Sequence, residues 1–255
     1  MPSFASIIGI AAITIAFSTS AAAGANADRT WVSHSGTSGN ASLNPPCTPT
    51  NPCNSFALAL SVTTPGGEIN CLDNGNYGAG PVFITQSVTI DCGGQLGGIG
   101  ISSLASTAFI INGNIIVKLR NLTIAGQGGS NAGISVQNAA AIIIENCVIQ
   151  NFNGANGTGI SVENTSALQL NVSDTLIASN TDGLNNSGIL ILPTASAPTT
   201  FAFDRIHVEN NASNGIMVIN NGTGSLTGAI RDSVSQAART PASLPTRTTA
   251  RPQSR

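Results

Sequence analysis

One phrase recurs four times between Gly133 and Val218 and sharply limits what this chain can fold into. Gly133-Ile134-Ser135-Val136 returns as Gly159-Ile160-Ser161-Val162, Gly188-Ile189-Leu190-Ile191 and Gly215-Ile216-Met217-Val218, at intervals of 26, 29 and 27 residues. A period of this size marks a solenoid, in which each repeat buries its apolar face against its neighbours. A second phrase accompanies the first: Arg120-Asn121-Leu122-Thr123-Ile124 aligns with Glu145-Asn146-Cys147-Val148-Ile149, Ser173-Asp174-Thr175-Leu176-Ile177 and Asp204-Arg205-Ile206-His207-Val208. One resulting column is Ile124, Ile149, Ile177 and Val208, and another is Leu122, Cys147, Thr175 and Ile206. Mostly aliphatic columns two residues apart point to the inner face of strands, not to a helix stripe. The expectation is an all-β chain of coils, each about three short strands, stacked as a parallel β-helix with a filled interior.

Composition narrows the function classes. Only 8% of the 255 residues are charged, about a third of the usual share. Asn, Gly, Ser and Thr supply the polarity instead, as turn formers and uncharged hydrogen-bonding groups. A net charge of −2 gives no field to steer nucleic acid, so no nucleic-acid partner is expected. Beyond the N-terminus no apolar run approaches the ~18 residues of a spanning helix, so no membrane span is expected in the mature chain.

The ends read differently from the middle. Ile7 to Phe17 is an apolar core followed by Ala21-Ala22-Ala23 and Ala25-Asn26-Ala27, the pattern of a secretory signal peptide over residues 1–27. Cleavage after Ala27 would make Asp28 the first mature residue and place the protein outside the cell, on its surface or in the periplasm. The β-helix domain is expected over 28–235, with an N-terminal cap over about 29–65. In that cap Arg29-Thr30-Trp31-Val32-Ser33 reads as a first strand. Asn54 or Ser55 then caps a short helix that puts Phe56, Ala59 and Leu60 on one face, and Pro65-Gly66-Gly67 stops it. An open solenoid end exposes core, so a covering helix makes physical sense. Short phrases follow at a constant offset of 21, Ile69-Asn70-Cys71, Ile90-Asp91-Cys92 and Ile111-Asn112-Gly113, and read as the first coils. From Gln236 to Arg255 there are four Arg, three Pro, no acid and no aliphatic rhythm. This reads as a low-complexity basic tail that stays disordered, or as a departure of the reading frame from the natural repeat.

Export permits disulfides, and five Cys are present. Cys47 and Cys53 bracket a short loop that can close as a staple. Cys71 and Cys92 occupy matching points of neighbouring coils; they could bond or remain two buried thiols. Cys147 reads as a small core residue. Asn138 and Asn164 share one coil position, where stacked amides can hydrogen-bond one another and hold the register.

The Gly-Ile-x-Val repeats, the Ile-x-Asn-x-x-Ile phrase and the Asn-rich turns resemble the right-handed parallel β-helix superfamily of pectate lyases, polygalacturonases and exported bacterial proteins of unknown role. The resemblance covers roughly 29–235 and implies the fold more than the activity. It also locates candidate chemistry. Asn180-Thr181-Asp182-Gly183 is similar to the polygalacturonase Asn-Thr-Asp motif, which would make Asp182 an acid/base residue. That family's Asp-Asp pair, Gly-His-Gly and Arg-Ile-Lys motifs are missing here, and glycoside hydrolysis needs two carboxylates across the bond. A pectate lyase-like site would need clustered acids to hold calcium, with an Arg as base. Asp174, Asp204 and Glu209, beside Arg205 and His207, form the nearest set. In the aligned phrases Asp174 stacks on Arg205 and Arg120 on Glu145, which equally describes exposed ion pairs between coils. His207 falls in the outward column of Thr123, Val148 and Leu176.

No complete catalytic set is therefore readable, and no cofactor is expected, calcium entering only under the lyase alternative. The expectation is a secreted or surface β-helix protein that binds polysaccharide or acts as an adhesive scaffold, through a long strand face rich in amides and hydroxyls. The alternatives are a lyase or hydrolase acting on acidic polysaccharide, and a structural fragment without activity.

Overall fold

The computed structural model describes residues 26–94, 97–101, 106–180, 187–194, 196–211 and 213–237. The expected signal segment before Asn26 and the basic tail from Ala238 onward lie outside the described residues, as does Asp182. The chain is an all-β parallel solenoid built from three sheets, which each coil visits in turn. The first sheet has eight strands, from Ala27–Val32 and Thr63–Cys71 to Leu226–Arg231. The second has seven, from Gly75–Asn76 to Val234–Ala237, and the third has six, from Val82–Ile84 to Asn214–Val218. The last second-sheet strand carries the coil past residue 235 to Ala237.

The four Gly-Ile phrases occupy successive strands of the third sheet, with Ile134 beside Ile160, Ile160 beside Ile189 and Ile189 beside Ile216. Their recurring glycine has a steric cause. A Cβ on Gly159 would stand 2.5 Å from the Ile177 side chain and 2.6 Å from the Gly188 carbonyl oxygen. On Gly133 it would meet Ile149 at 2.6 Å and the Gly159 oxygen at 2.7 Å. The third-sheet strand therefore starts where the second-sheet aliphatic of the following coil already fills the interior. The column Ile124, Ile149, Ile177 and Val208 is fully buried, and Leu122, Cys147, Thr175 and Ile206 are at most 2% exposed. Thr175 is tolerated inside because its hydroxyl donates to the Ser173 carbonyl and accepts from the Cys147 amide.

At the N-terminal end, helix α1 (Phe56–Val62) covers the first coil with Phe56, Ala59 and Leu60 buried. Ser55 is its N-cap, its Oγ accepting from the Leu58 amide. The helix ends at Val62, before Pro65-Gly66-Gly67, because Thr63 already has extended geometry and opens the strand Thr63–Cys71. Asp73 ties the cap down: its carboxylate accepts from the Ser33 hydroxyl, the His34 amide and the Tyr77 hydroxyl. Cys47 and Cys53 form a disulfide within the cap, with Cα atoms 5.0 Å apart. Cys71 and Cys92 form a second across neighbouring coils, with Cα atoms 4.6 Å apart.

Two details of register depart from expectation. Ile69 does pair with Ile90 in the first sheet, but the residue stacked on Ile90 is Leu119. Ile111 lies in the third sheet, between Ile84 and Val136. The alternation in, out, in is the same on all three sheets, so a coil that lengthens keeps the pattern while moving it to another side. Likewise Asn138 and Asn164 do not bond to each other; Ser166 bridges toward both, donating to Asn138 and accepting from Asn164 through its carbonyl. The direct amide stack lies elsewhere. Buried Asn180 donates to the Asn211 side-chain oxygen at 3.0 Å and to the Ile149 carbonyl, while its own oxygen accepts from the Phe152 amide.

Two measurements follow from this packing. Gly159→Ala overpacks the junction of two sheets and is expected to cost ~1–3 kcal/mol, whereas Ser161→Ala, two residues away on the outer face, stays within about 0.5 kcal/mol; chemical denaturation compares them. Burial pushes the Cys147 thiol up to about 12. A thiol reagent should therefore find no reactive cysteine in the native protein near neutral pH and one after denaturation without reductant.

Candidate functional site

The corner between the first and second sheets carries the charged residues singled out in the sequence. The last five coils turn there through one left-handed residue each: Asn121 (φ 55), Asn146 (φ 51), Asp174 (φ 49), Arg205 (φ 51) and Asp232 (φ 44). Asn and Asp tolerate this conformation better than other side-chain-bearing residues. The corner amides stitch the coils together, Asn121 donating to the Glu145 carbonyl, Asn146 to Ser173, Asp174 to Asp204 and Arg205 to Arg231. Side chains repeat the pattern. Asp91 Oδ1 accepts from Asn121 Nδ2 at 2.6 Å, and Asn121 Oδ1 from Asn146 Nδ2 at 2.7 Å.

Further along the same corner the amides give way to charges. Arg205 grips Asp174 with two bonds, Nε to Oδ1 at 2.7 Å and Nη2 to Oδ2 at 2.8 Å. Its Nη1 contacts the Asp204 carboxylate. Arg120 pairs with Glu145 at 2.6 Å. The structure thus brings Asp174, Asp204 and Arg205 together and leaves His207 outside the cluster. His207 lies beside Leu176 on the exposed face of the second sheet, and Glu209 beside Ala178 on the same face.

The electrostatics of the pair can be read chemically. Hydrogen bonding to Arg205 holds the Asp174 carboxyl below the usual carboxylate range, and the same bond with Asp174 raises the Arg205 guanidinium above its ordinary value. A base must lose its proton and an acid must hold one near working pH; this pairing pushes each group the other way. Calcium takes six to eight oxygens, several from carboxylates, but Asp174 and Asp204 already face the Arg205 cation. Among the described residues no three His, Cys, Asp or Glu side chains converge as a metal cage. Asn180, the first residue of the Asn-Thr-Asp phrase, is fully buried and committed to the amide stack.

A different place offers a binding surface. On the outer face of the third sheet a groove of about 320 Å³ is lined by Asn131, Ser135, Asn156, Thr158, Ser161 and Glu163, with Leu190 beyond them. Ser135 and Ser161 are the variable residues of two Gly-Ile-x-Val phrases and lie side by side. The same outward column continues as Ile110 and Phe83 on one side and Leu190 and Met217 on the other. The Ser161 hydroxyl donates to Glu163 Oε1 at 3.3 Å. The x position of the repeat was the sequence signal for this groove; the walls, Asn131 and Asn156, come from turns with no shared motif. A larger cleft, about 580 Å³, opens in the cap between Asp28, Arg29, Thr64 to Glu68 and Thr89.

No protein-family model, curated protein or solved structure matches this chain.

The corner supplies a test. The Arg205–Asp174 pair is half exposed on both sides, and exposed pairs contribute little to stability, whereas left-handed geometry burdens any residue with a Cβ other than Asn or Asp. Arg205→Ala keeps that burden and loses the pair; Arg205→Gly removes both. The melting midpoint should rank Arg205→Gly above Arg205→Ala, with Arg205→Gly close to the wild type.

Proposed function

We propose that this protein is a non-catalytic, exported β-solenoid that binds polysaccharide in the groove on its third sheet. The carrying observation is the groove itself: an open channel that sets hydroxyl and amide groups from strands and turns beside the Glu163 carboxylate and the apolar Ala132 and Leu190. Sugars are recognised by such donors and acceptors, and a site held by packed strands needs little ordering on binding. The solenoid also matches the ligand's shape. Its strands succeed one another every ~4.8 Å, and an extended pyranose chain advances by a similar length per sugar, so successive rungs can meet successive residues. The corner cluster supports the non-catalytic part of the reading, because Arg205 and Asp174 are each held in their ionised form.

Incubation with a panel of soluble polysaccharides, with and without calcium, separates binding from chemistry. The expected outcome is retardation of the protein in affinity electrophoresis, with no new reducing ends and no ultraviolet-absorbing unsaturated products. Release of unsaturated products that disappears in Arg205→Ala would establish lyase chemistry at the corner and overturn the proposal.

A further inference from the structure

We infer that the glycan held in the third-sheet groove is uncharged rather than a polyuronate. This inference rests on the groove being the binding site and concerns the class of ligand it takes. The described cations all lie away from the groove. Among the described residues there are five: Arg29, Lys118, Arg120 and Arg231 in first-sheet strands, and Arg205 at the corner where that sheet ends. Three of them are paired with acids, Arg29 with Glu68, Arg120 with Glu145, and Arg205 with Asp174 and Asp204, and Arg231 stands beside Asp204 in the sheet. None lines the third-sheet groove, and among its described lining residues Glu163 alone is ionised.

A polyuronate carries a carboxylate on nearly every sugar. Bringing it along this channel would strip those carboxylates of water with no cation among the described lining residues to receive them, and would place them against Glu163. Desolvating an unpaired charge is costly, and like charges in contact add to that cost. For a neutral sugar the same groups are well suited. Glu163 accepts from the Ser161 hydroxyl and has acceptor capacity left for a sugar hydroxyl, and charge-assisted bonds of this kind are the stronger ones. Ile110 and Leu190, on the rungs flanking Ser135 and Ser161, present apolar surface to the C–H faces of a pyranose ring. Polar groups between apolar flanks are complementary to a sugar that is itself hydroxyl-edged and C–H-faced.

The test is affinity electrophoresis of the full chain in gels containing a neutral β-glucan, a neutral mannan, polygalacturonate or alginate, at fixed ionic strength. Ser161→Trp blocks the groove, and the position accepts bulk because Ile110, Leu190 and Met217 occupy the same outward column. Circular dichroism verifies that the variant is folded. The inference predicts at least a tenfold weaker retention by the polyuronates than by a neutral glycan, and loss of the neutral retention in Ser161→Trp. Glu163→Lys, which puts a cation in the channel, should gain polyuronate retention. Polyuronate retention in the wild type that Ser161→Trp abolishes would overturn the uncharged ligand while leaving the groove as the site. Retention unaffected by Ser161→Trp, or no retention on any gel, would overturn the groove reading and this inference with it.

Discussion

Everything in this molecule depends on one coil lying flat on the next. A parallel strand cannot satisfy its backbone within its own coil, so each sheet borrows its hydrogen bonds from the coils above and below. That arrangement requires the side chains between coils to be equivalent in size and direction, which is why aliphatics stack on aliphatics at Ile124, Ile149, Ile177 and Val208. It also requires a place where the interior narrows. The glycine column at Gly133, Gly159 and Gly188 answers that need, since a Cβ there would strike the second-sheet aliphatic of the following coil. Register, interior and glycine are one constraint seen three ways.

The polar residues obey the same constraint from outside the core. At the corner of the first and second sheets, a side-chain ladder runs from the Asp91 carboxylate through the Asn121 amide to the Asn146 amide, and then an ion pair takes over at Asp174 and Arg205. Either chemistry holds a left-handed residue over its neighbour. A cluster of acids with an arginine, which in isolation reads as reactive, is in this setting a continuation of the amide column by ionic means. The charges concentrate on that side of the solenoid, and the third sheet is left with Ser135, Ser161 and a few aliphatics on its outer face. The separation of an edge that carries the paired cations from an open face with Glu163 and no described cation underlies the selectivity proposed for the groove.

Much of the fold was legible. The capping face of Phe56, Ala59 and Leu60 follows from helical spacing, and the buried columns follow from the alternation within aligned phrases. The pairs Asp174–Arg205 and Arg120–Glu145 follow from the same alignment. The coil to which Ile111 belongs was not legible, because its in-out pattern is identical on all three sheets and only the length of the intervening turns decides the side. The amide stack was misplaced for a related reason. Asn138 and Asn164 share a repeat position, but hydrogen bonding depends on where a turn brings the amide, and Ser166 comes between them. The groove was legible only as a statement that hydroxyls and amides abound; its walls at Asn131 and Asn156 lie in turns of unlike sequence that meet in space.

By itself the sequence determined the stacking: a period near 27 residues, alternating aliphatics and a glycine at the head of each third-sheet strand admit little but a parallel β-solenoid. The tertiary structure alone decided which polar residues meet. Periodicity specifies what repeats, and side chains that repeat are occupied in holding coil to coil. A binding face is made of residues that do not repeat, brought together by turns of differing length, and no pattern along the chain records that meeting.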